Sequence, residues 1–204
     1  MGLLRALRNR GMRVQPFKCG PDYIDTLFHQ IASGSESVNL DTFMSSPEHV
    51  KDLYVHYGSH SDVCVTEGAM GLFDGYDGAK GSAAEVAMLL KVPVLLLVSS
   101  KSVAYSVAPL IFGFRHFCPE LQLAGVVFNY VGSDSQYCTL QQACDDIGVT
   151  CYGYMGRCSD LVIPSRHLGL SVQHKEQMER LVESAACEVE QHVDIEQLLK
   201  FLKQ

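Results

Sequence analysis

A chain of 204 residues is long enough to bury a sizeable core in one domain, and a hydrophobic share of 47% suits an ordinary globular protein. Lys+Arg 16 against Asp+Glu 23 leaves a net charge of −7, which excludes the basic footprint that nucleic acid or an anionic membrane selects. No apolar run reaches the roughly 18 residues of a membrane span, so small-molecule partners and a cytoplasmic location are expected.

Gly2 to Asn9 reads as a first helix, with Leu3, Leu4 and Leu7 on one face and Gly11 as its stop. Arg13 to Phe17 follows as a strand. Pro21 to Ala32 is predicted as a helix, because a proline at the first helical position loses no backbone bond. Val38 to Met44 reads as irregular. Pro47 to Tyr57, capped by Ser45 or Ser46, is predicted helical and leads into a buried strand over Asp62 to Thr66. Glu67 to Gly81 is a glycine-rich loop, and Ser82 caps a helix that runs to Leu90.

Val92 to Val98 is the most apolar strand. The helix over Tyr105 to His116 is mainly apolar, predicted to be covered on several sides, and Pro109 gives it a kink or a late start. Leu121 to Asn129 is a strand, Gln136 to Ile147 a helix, Val149 to Tyr154 a strand. A tail from residue 171 to 204 holds helices over Gln173 to Gln191 and Asp194 to Leu202. Alternating strands and helices specify an α/β fold: a three-layer, mainly parallel sheet with helices on both faces. Eight cysteines without a C-x-x-C pair read as reduced thiols rather than a zinc site.

Ligands of a parallel sheet gather outside the carboxyl ends of its strands. Lys18, Glu67, the run Ser99 to Ser102, and Asn129 all fall at such ends. Asp22 and Asp25, spaced i, i+3 at a helix start, share a face and feel the positive end of the helix dipole. Helix-start acids are common, and that reading explains Asp22 as well as chemistry does. Glu67, directly after a buried strand, resembles the acid that holds magnesium in nucleotide hydrolases. Turn chemistry explains Asp74 and Asp77 almost as well as catalysis.

At Lys18-x-Gly20-Pro21-Asp22-Tyr23-Ile24-Asp25, Asn39-Leu40-Asp41, Glu67-Gly68-x-Met70-Gly71-Leu72-Phe73-Asp74-Gly75 and Arg166-His167-Leu168-Gly169-Leu170, the chain resembles the cobyrinic and hydrogenobyrinic acid a,c-diamide synthase family. That family belongs to the P-loop amidoligases that include dethiobiotin synthetase. The resemblance implies a ligase of cobalamin biosynthesis that uses ATP and Mg2+ to activate two acetate carboxylates of a corrin as acyl phosphates, which ammonia from glutamine converts to amides. By the same resemblance Asp41 and Glu67 hold Mg2+ and Lys18 neutralises phosphate oxygens. Asp22, Asp25 and Asp74 line the reacting carboxylate and ammonia site, while Tyr23, Ile24, Arg166 and His167 bind the corrin. Asn129, in Asn129-Tyr130-Val131, takes the adenine-reading turn, although the family often has arginine where Tyr130 stands.

The family's G-x-x-x-x-G-K-[ST] loop is not found in the 204 residues, and neither is a glutaminase domain with its nucleophilic cysteine. The expectation is therefore a single synthetase domain over 1–204, truncated at both ends, weak or inactive alone, with the missing glutaminase domain as ammonia source. Loss of the first strand and P-loop is expected to expose ladder groups near the sheet centre, and so to favour a homodimer or a distorted sheet. Two alternatives remain: a non-catalytic corrin- and metal-binding module, and a dethiobiotin synthetase or MinD/ParA-like ATPase, against which the Gly20 to Asp25 run argues.

Overall fold

The computed structural model describes residues 1–158, 161 and 172–202. The chain divides into two units, Met1–Lys91 with Asp160–Cys187, and Val92–Ser159 with Glu188–Gln204.

The first unit runs α1 (Gly2–Asn9), β1 (Val14–Cys19), α2 (Ile24–Ser33), β2 (Val38–Leu40), α3 (Pro47–Gly58), β3 (Val63–Glu67) and α4 (Ala83–Leu90). Its strands form a parallel sheet in the order β2-β1-β3. β1 is central and buried along its whole length, as a strand covered on both faces must be. The alternation of side chains then decides what each residue meets. Phe17 and Cys19 enter an apolar cluster with Leu40, Val50 of α3 and Val86 of α4. Lys18 between them points the other way, toward α2. Arg5 of α1 ties off the carbonyl end of α2 through Ile31 (2.8 Å) and Ala32 (3.1 Å), and pairs with Glu179 and Glu183 of α7 (Val172–His192).

The second unit holds β4 (Val94–Ser99), α5 (Val107–Phe117), β5 (Leu123–Val131), α6 (Asp134–Asp146), β6 (Cys151–Gly156) and α8 (Ile195–Phe201). Its sheet is again parallel, in the order β4-β5-β6. Val98, Val126 and Phe128 pack on Val107 and Ile111 of α5 and on Leu140 and Ala143 of α6. Gly153 has φ +131° and pairs with Val193; a Cβ there would collide with the His192 carbonyl, so only glycine fits.

Both sheets are parallel with helices on the faces, as the alternating pattern specifies. Several boundaries differ. α2 starts at Ile24, not Pro21: Gly20 turns the chain at φ +79°, and the Asp22 carboxylate accepts from the Ile24 (2.8 Å) and Asp25 (3.2 Å) amides. A side-chain acceptor, rather than the proline, sets the start. The segment read as irregular contains β2, three residues held by pairing with Phe17, Lys18 and Cys19. α5 takes the late start, with Pro109 in its first turn, but Leu110 and Phe112 stay half exposed, contrary to the expectation of cover on several sides. Among the described residues β3 and β4 each have one strand neighbour, and Leu97 of β4 is 66% exposed. No described helix is long and apolar enough to cross a membrane.

Candidate functional site

The register of the first sheet brings three polar residues side by side at its carboxyl end, since Lys18 of β1 pairs with Asn39 of β2 and with Glu67 of β3. Partners in a parallel ladder project to the same face, so the three side chains form one row. α2 lies against that row and adds Asp25 and His29, one turn apart at i, i+4.

Lys18 is 4% exposed and its ammonium has three partners: Asp25 Oδ2 at 2.7 Å, Glu67 Oε1 at 3.3 Å and the Gly68 carbonyl at 3.2 Å. Burial opposes its charge, yet the bond to Asp25 and the fields of Glu67 and Asp25 outweigh that and raise its pKa above the ordinary lysine value. An ammonium has only three hydrogens. A phosphate oxygen could meet Lys18 only by displacing one of these partners, a constraint that the sequence does not reveal.

Glu67 is the last residue of β3, and each of its oxygens has a different partner. Oε1 faces Lys18, and Oε2 lies 2.6 Å from His29 Nε2. Burial pushes the carboxyl pKa up, but the His29 bond and then the Lys18 charge prevail and hold it at about 2. His29 is 1% exposed, and its Nδ1 lies 3.0 Å from Ser37 Oγ. Asp22 is also held below its ordinary range: burial opposes ionisation, and the amides of Asp25 and Ile24 overcome it.

Asp41 follows β2. Its Oδ1 accepts from the Phe43 amide at 2.9 Å, while Oδ2 is buried without a hydrogen-bond partner, as is Asn39 Oδ1 in the row itself. Buried acceptors are almost always satisfied, and an orphan pair next to carboxylates matches what a hydrated divalent cation takes up. Lys18 and His29 take one bond at each Glu67 oxygen, which leaves a carboxylate lone pair on each. The donor set, hard oxygens with one or two carboxylates, fits Mg2+ rather than a softer metal.

Tyr23 (68% exposed) and Ile24 (45%) stand at the open end of α2. Phe43, Met44, Met70 and Tyr76, after β2 and β3, are also exposed, and the Phe43 and Tyr76 rings meet edge to face with centroids 4.8 Å apart. Asp74 does not join the Lys18 cluster by any described bond: its Oδ2 accepts from the Gly71 amide at 3.0 Å and shapes the loop, the turn role weighed for it from the sequence. Arg166 and His167 lie outside the described residues.

Asn129 belongs to the second unit, near the end of β5. Its side-chain oxygen accepts from the Tyr130 amide at 2.9 Å, and its carbonyl accepts from both the amide and the hydroxyl of Ser100. Tyr130 sits at φ +63°, with the Lys101 ammonium 3.8 Å from its ring centroid. Sequence reasoning missed two residues, His29 and Ser37. The available signal was Asp22, Asp25 and His29 at i, i+3, i+7, one stripe of a helix.

The chain is 42% identical over 203 residues to the cobyrinate a,c-diamide synthase of Salmonella typhimurium strain LT2, covering 98% of this chain and 44% of that protein. It is 44% identical over 171 residues to the hydrogenobyrinate a,c-diamide synthase of Streptomyces coelicolor, covering 83% of this chain and 35% of the relative. The cobyrinate a,c-diamide synthase of Caldanaerobacter subterraneus subsp. tengcongensis is 38% identical over 202 residues, 98% of this chain and 44% of the relative. The chain thus spans less than half the length of these curated relatives. Among solved structures it resembles the chloroplast FtsY of Physcomitrella patens, with TM-score 0.50 and 13% identity over 89% of this chain and 59% of that one, a likeness of fold alone. Residues 1–170 match the CbiA model, and the chain belongs to that family, the CobQ/CobB/MinD/ParA nucleotide-binding domains.

Proposed function

We propose that this chain is the ligase portion of a cobyrinate or hydrogenobyrinate a,c-diamide synthase, amidating the a and c acetate carboxylates of a corrin in cobalamin biosynthesis. The observation that carries the reading is the row Asn39, Lys18 and Glu67 with Asp25 and His29 behind it, set among exposed apolar residues. A corrin acid presents the complementary chemistry: a broad apolar macrocycle with carboxylates at its edge. Bound ATP and Mg2+ supply the phosphoryl group that activates a carboxylate and the charge that offsets the gathered anions.

The residues divide the work. Asp41 and Glu67 would hold the cation, Asp41 through its orphan oxygen. Lys18 keeps Asp25 and Glu67 close together despite their like charges, and it would meet an anionic oxygen by giving up one of its three partners. Asp22, held below its ordinary range and so ionised at neutral pH, would accept the proton that ammonia loses on attack. Tyr23, Ile24, Phe43 and Tyr76 offer surface to the macrocycle, and Arg166 and His167 are assigned there by motif. Asn129 would read the adenine. Ammonia comes from a glutaminase or from solution.

The chain, given cobyrinic acid labelled with 18O in its carboxylates, ATP, Mg2+ and ammonium, is expected to yield a corrin amide only slowly, read by mass spectrometry, and to pass one label per amide to inorganic phosphate. Glu67→Gln is expected to abolish both. Corrin binding without ATP-dependent amide formation would assign a binding module instead. Amide formation without label transfer would remove the acyl phosphate from the scheme.

A further inference from the structure

His29 has no role in the chemistry above, yet it is among the most thoroughly buried polar groups of the first unit, 1% exposed, with both ring nitrogens engaged. Glu67 already accepts from the Lys18 ammonium at Oε1, and a carboxylate beside an ammonium acts as an acceptor, so the 2.6 Å contact is assigned as His29 Nε2–H donating to Oε2. Ser37 Oγ at Nδ1 then fixes the rotation of the ring about its own axis. The backbone behind the ring is held as well, because the single Ser33 hydroxyl hydrogen is shared between the His29 carbonyl (2.8 Å) and the Ser35 carbonyl (3.1 Å) at the C-terminal turn of α2.

A glutamate at a strand end has three rotatable side-chain bonds, and the Glu67 side chain is 47% exposed. Left alone it would sample several rotamers. Lys18 reaches one oxygen from β1 and His29 the other from α2, so two separate elements define the plane of the carboxylate. The remaining lone pairs then point in one direction. A hydrated divalent cation demands near-ideal geometry from the few protein oxygens it takes, so a fixed carboxylate plane matters more to it than carboxylate charge alone.

We propose that His29, oriented by Ser37, is a positioning residue that sets Glu67 for cation binding; the inference rests on the reading of Asp41 and Glu67 as cation ligands. Outer-shell partners of this kind change metal affinity by about 10- to 100-fold when removed. Their loss leaves the ligands present but misaimed. A histidine that merely fills the core would lower the melting temperature without altering affinity in the folded protein.

The test uses the full chain and Mn2+ as a paramagnetic probe, titrated by electron paramagnetic resonance at a temperature where all variants are folded. His29→Leu is expected to weaken Mn2+ binding about 10- to 100-fold. His29→Gln, whose amide can reach Oε2 as a donor, is expected to recover most of that loss, and Ser37→Ala to weaken binding only a few-fold. A downfield imidazole N–H proton resonance, seen in the wild type and absent from His29→Gln and Glu67→Leu, reports the bond without any metal. Wild-type affinity in folded His29→Leu would overturn the positioning role, and so would a wild type lacking the resonance. A wild type that shows the resonance but binds no Mn2+ would instead overturn the cation reading of the site, and with it the use assigned to the bond.

Discussion

The carboxyl ends of the two sheets solve the same structural problem in opposite ways. At the end of β1 and β3 the chain gathers ionised side chains, with Lys18 between Asp25 and Glu67 and His29 on the far oxygen. At the end of β4 and β5 it uses neutral groups: the Ser100 amide and hydroxyl satisfy the Asn129 carbonyl, and Gln136 Nε2 donates to the Ser100 and Val103 carbonyls at 2.8 and 2.9 Å. A ligand rim on a parallel sheet can therefore be an electrostatic network or a backbone-locked turn. The first depends on every charge in it, and the second on one bond at a time.

Lys18→Met breaks that contrast most severely. It leaves Asp25 and Glu67 close together with no cation between them, and breaking a buried ion pair costs about 3–5 kcal/mol. Because the two carboxylates are 39% and 47% exposed, water takes up part of the charge, and a loss of about 2–3 kcal/mol is expected. Urea unfolding measures it. An unchanged midpoint would show that the row is not held by charge.

Acid tests the same network without mutation. Glu67 has its folded pKa depressed from 4.5 to about 2, so between those values the unfolded chain binds more protons than the folded one. Its contribution is present above pH 4.5 and is lost as pH falls toward 2. Lys18, with its raised pKa, contributes in full below 10.5 and loses that contribution as pH rises through the folded value. With the partial exposure of Glu67 allowed for, the acid loss should be about 1–2 kcal/mol. Unfolding midpoints at pH 5 and 3 should fall further in the wild type than in Glu67→Gln; equal falls would place the sensitivity elsewhere, for instance at Asp62, which Arg13 also holds at about 2.

The neutral rim should respond more locally. Ser100 is fully buried, and Ser100→Ala removes the hydroxyl bond to Asn129 while the amide bond to the same carbonyl remains. A loss of about 1 kcal/mol is expected, with no dependence on pH between 5 and 9. Calorimetric melts at both pH values provide the check, and a loss that varies with pH would mean that this rim too is electrostatic.

Much of this was legible in the chain because its signals are local. Ser46 before Pro47 and Ser82 before Glu85 act as written, each serine accepting from the amide three residues on. α1 matches its predicted span, since one apolar face and a glycine stop define it. β2 was not legible: three residues carry no period, and only pairing with β1 makes them a strand. The site was half legible. Lys18 and Glu67 could be placed at one rim from strand ends, and Asp25 from the helix start that follows β1. His29 showed only as a third position on the Asp22–Asp25 stripe, because what distinguishes it is its bond to Glu67 of β3, a contact across 38 residues. The commitment of all three Lys18 hydrogens was invisible for the same reason, since it depends on the register of β1 with β3.

The smallest effect concerns Tyr130, which departs from the family's usual arginine. Its ring carries Lys101 at 3.8 Å, so the position keeps a cation although its own side chain is neutral. Tyr130 is 40% exposed, and a cation over a ring at such a site contributes about 0.5 kcal/mol. Lys101→Met should lower stability by about that much and leave the melt insensitive to moderate salt, because the methionine still packs on the ring. If Asn129-Tyr130 reads adenine, the same substitution should weaken ATP binding several-fold while Mn2+ binding stays at the wild-type value. Calorimetric ATP titration against Mn2+ titration separates the two. Parallel losses in both would show that the substitution acts on more than the nucleotide, and an unchanged ATP affinity would take Tyr130 and Lys101 out of nucleotide binding.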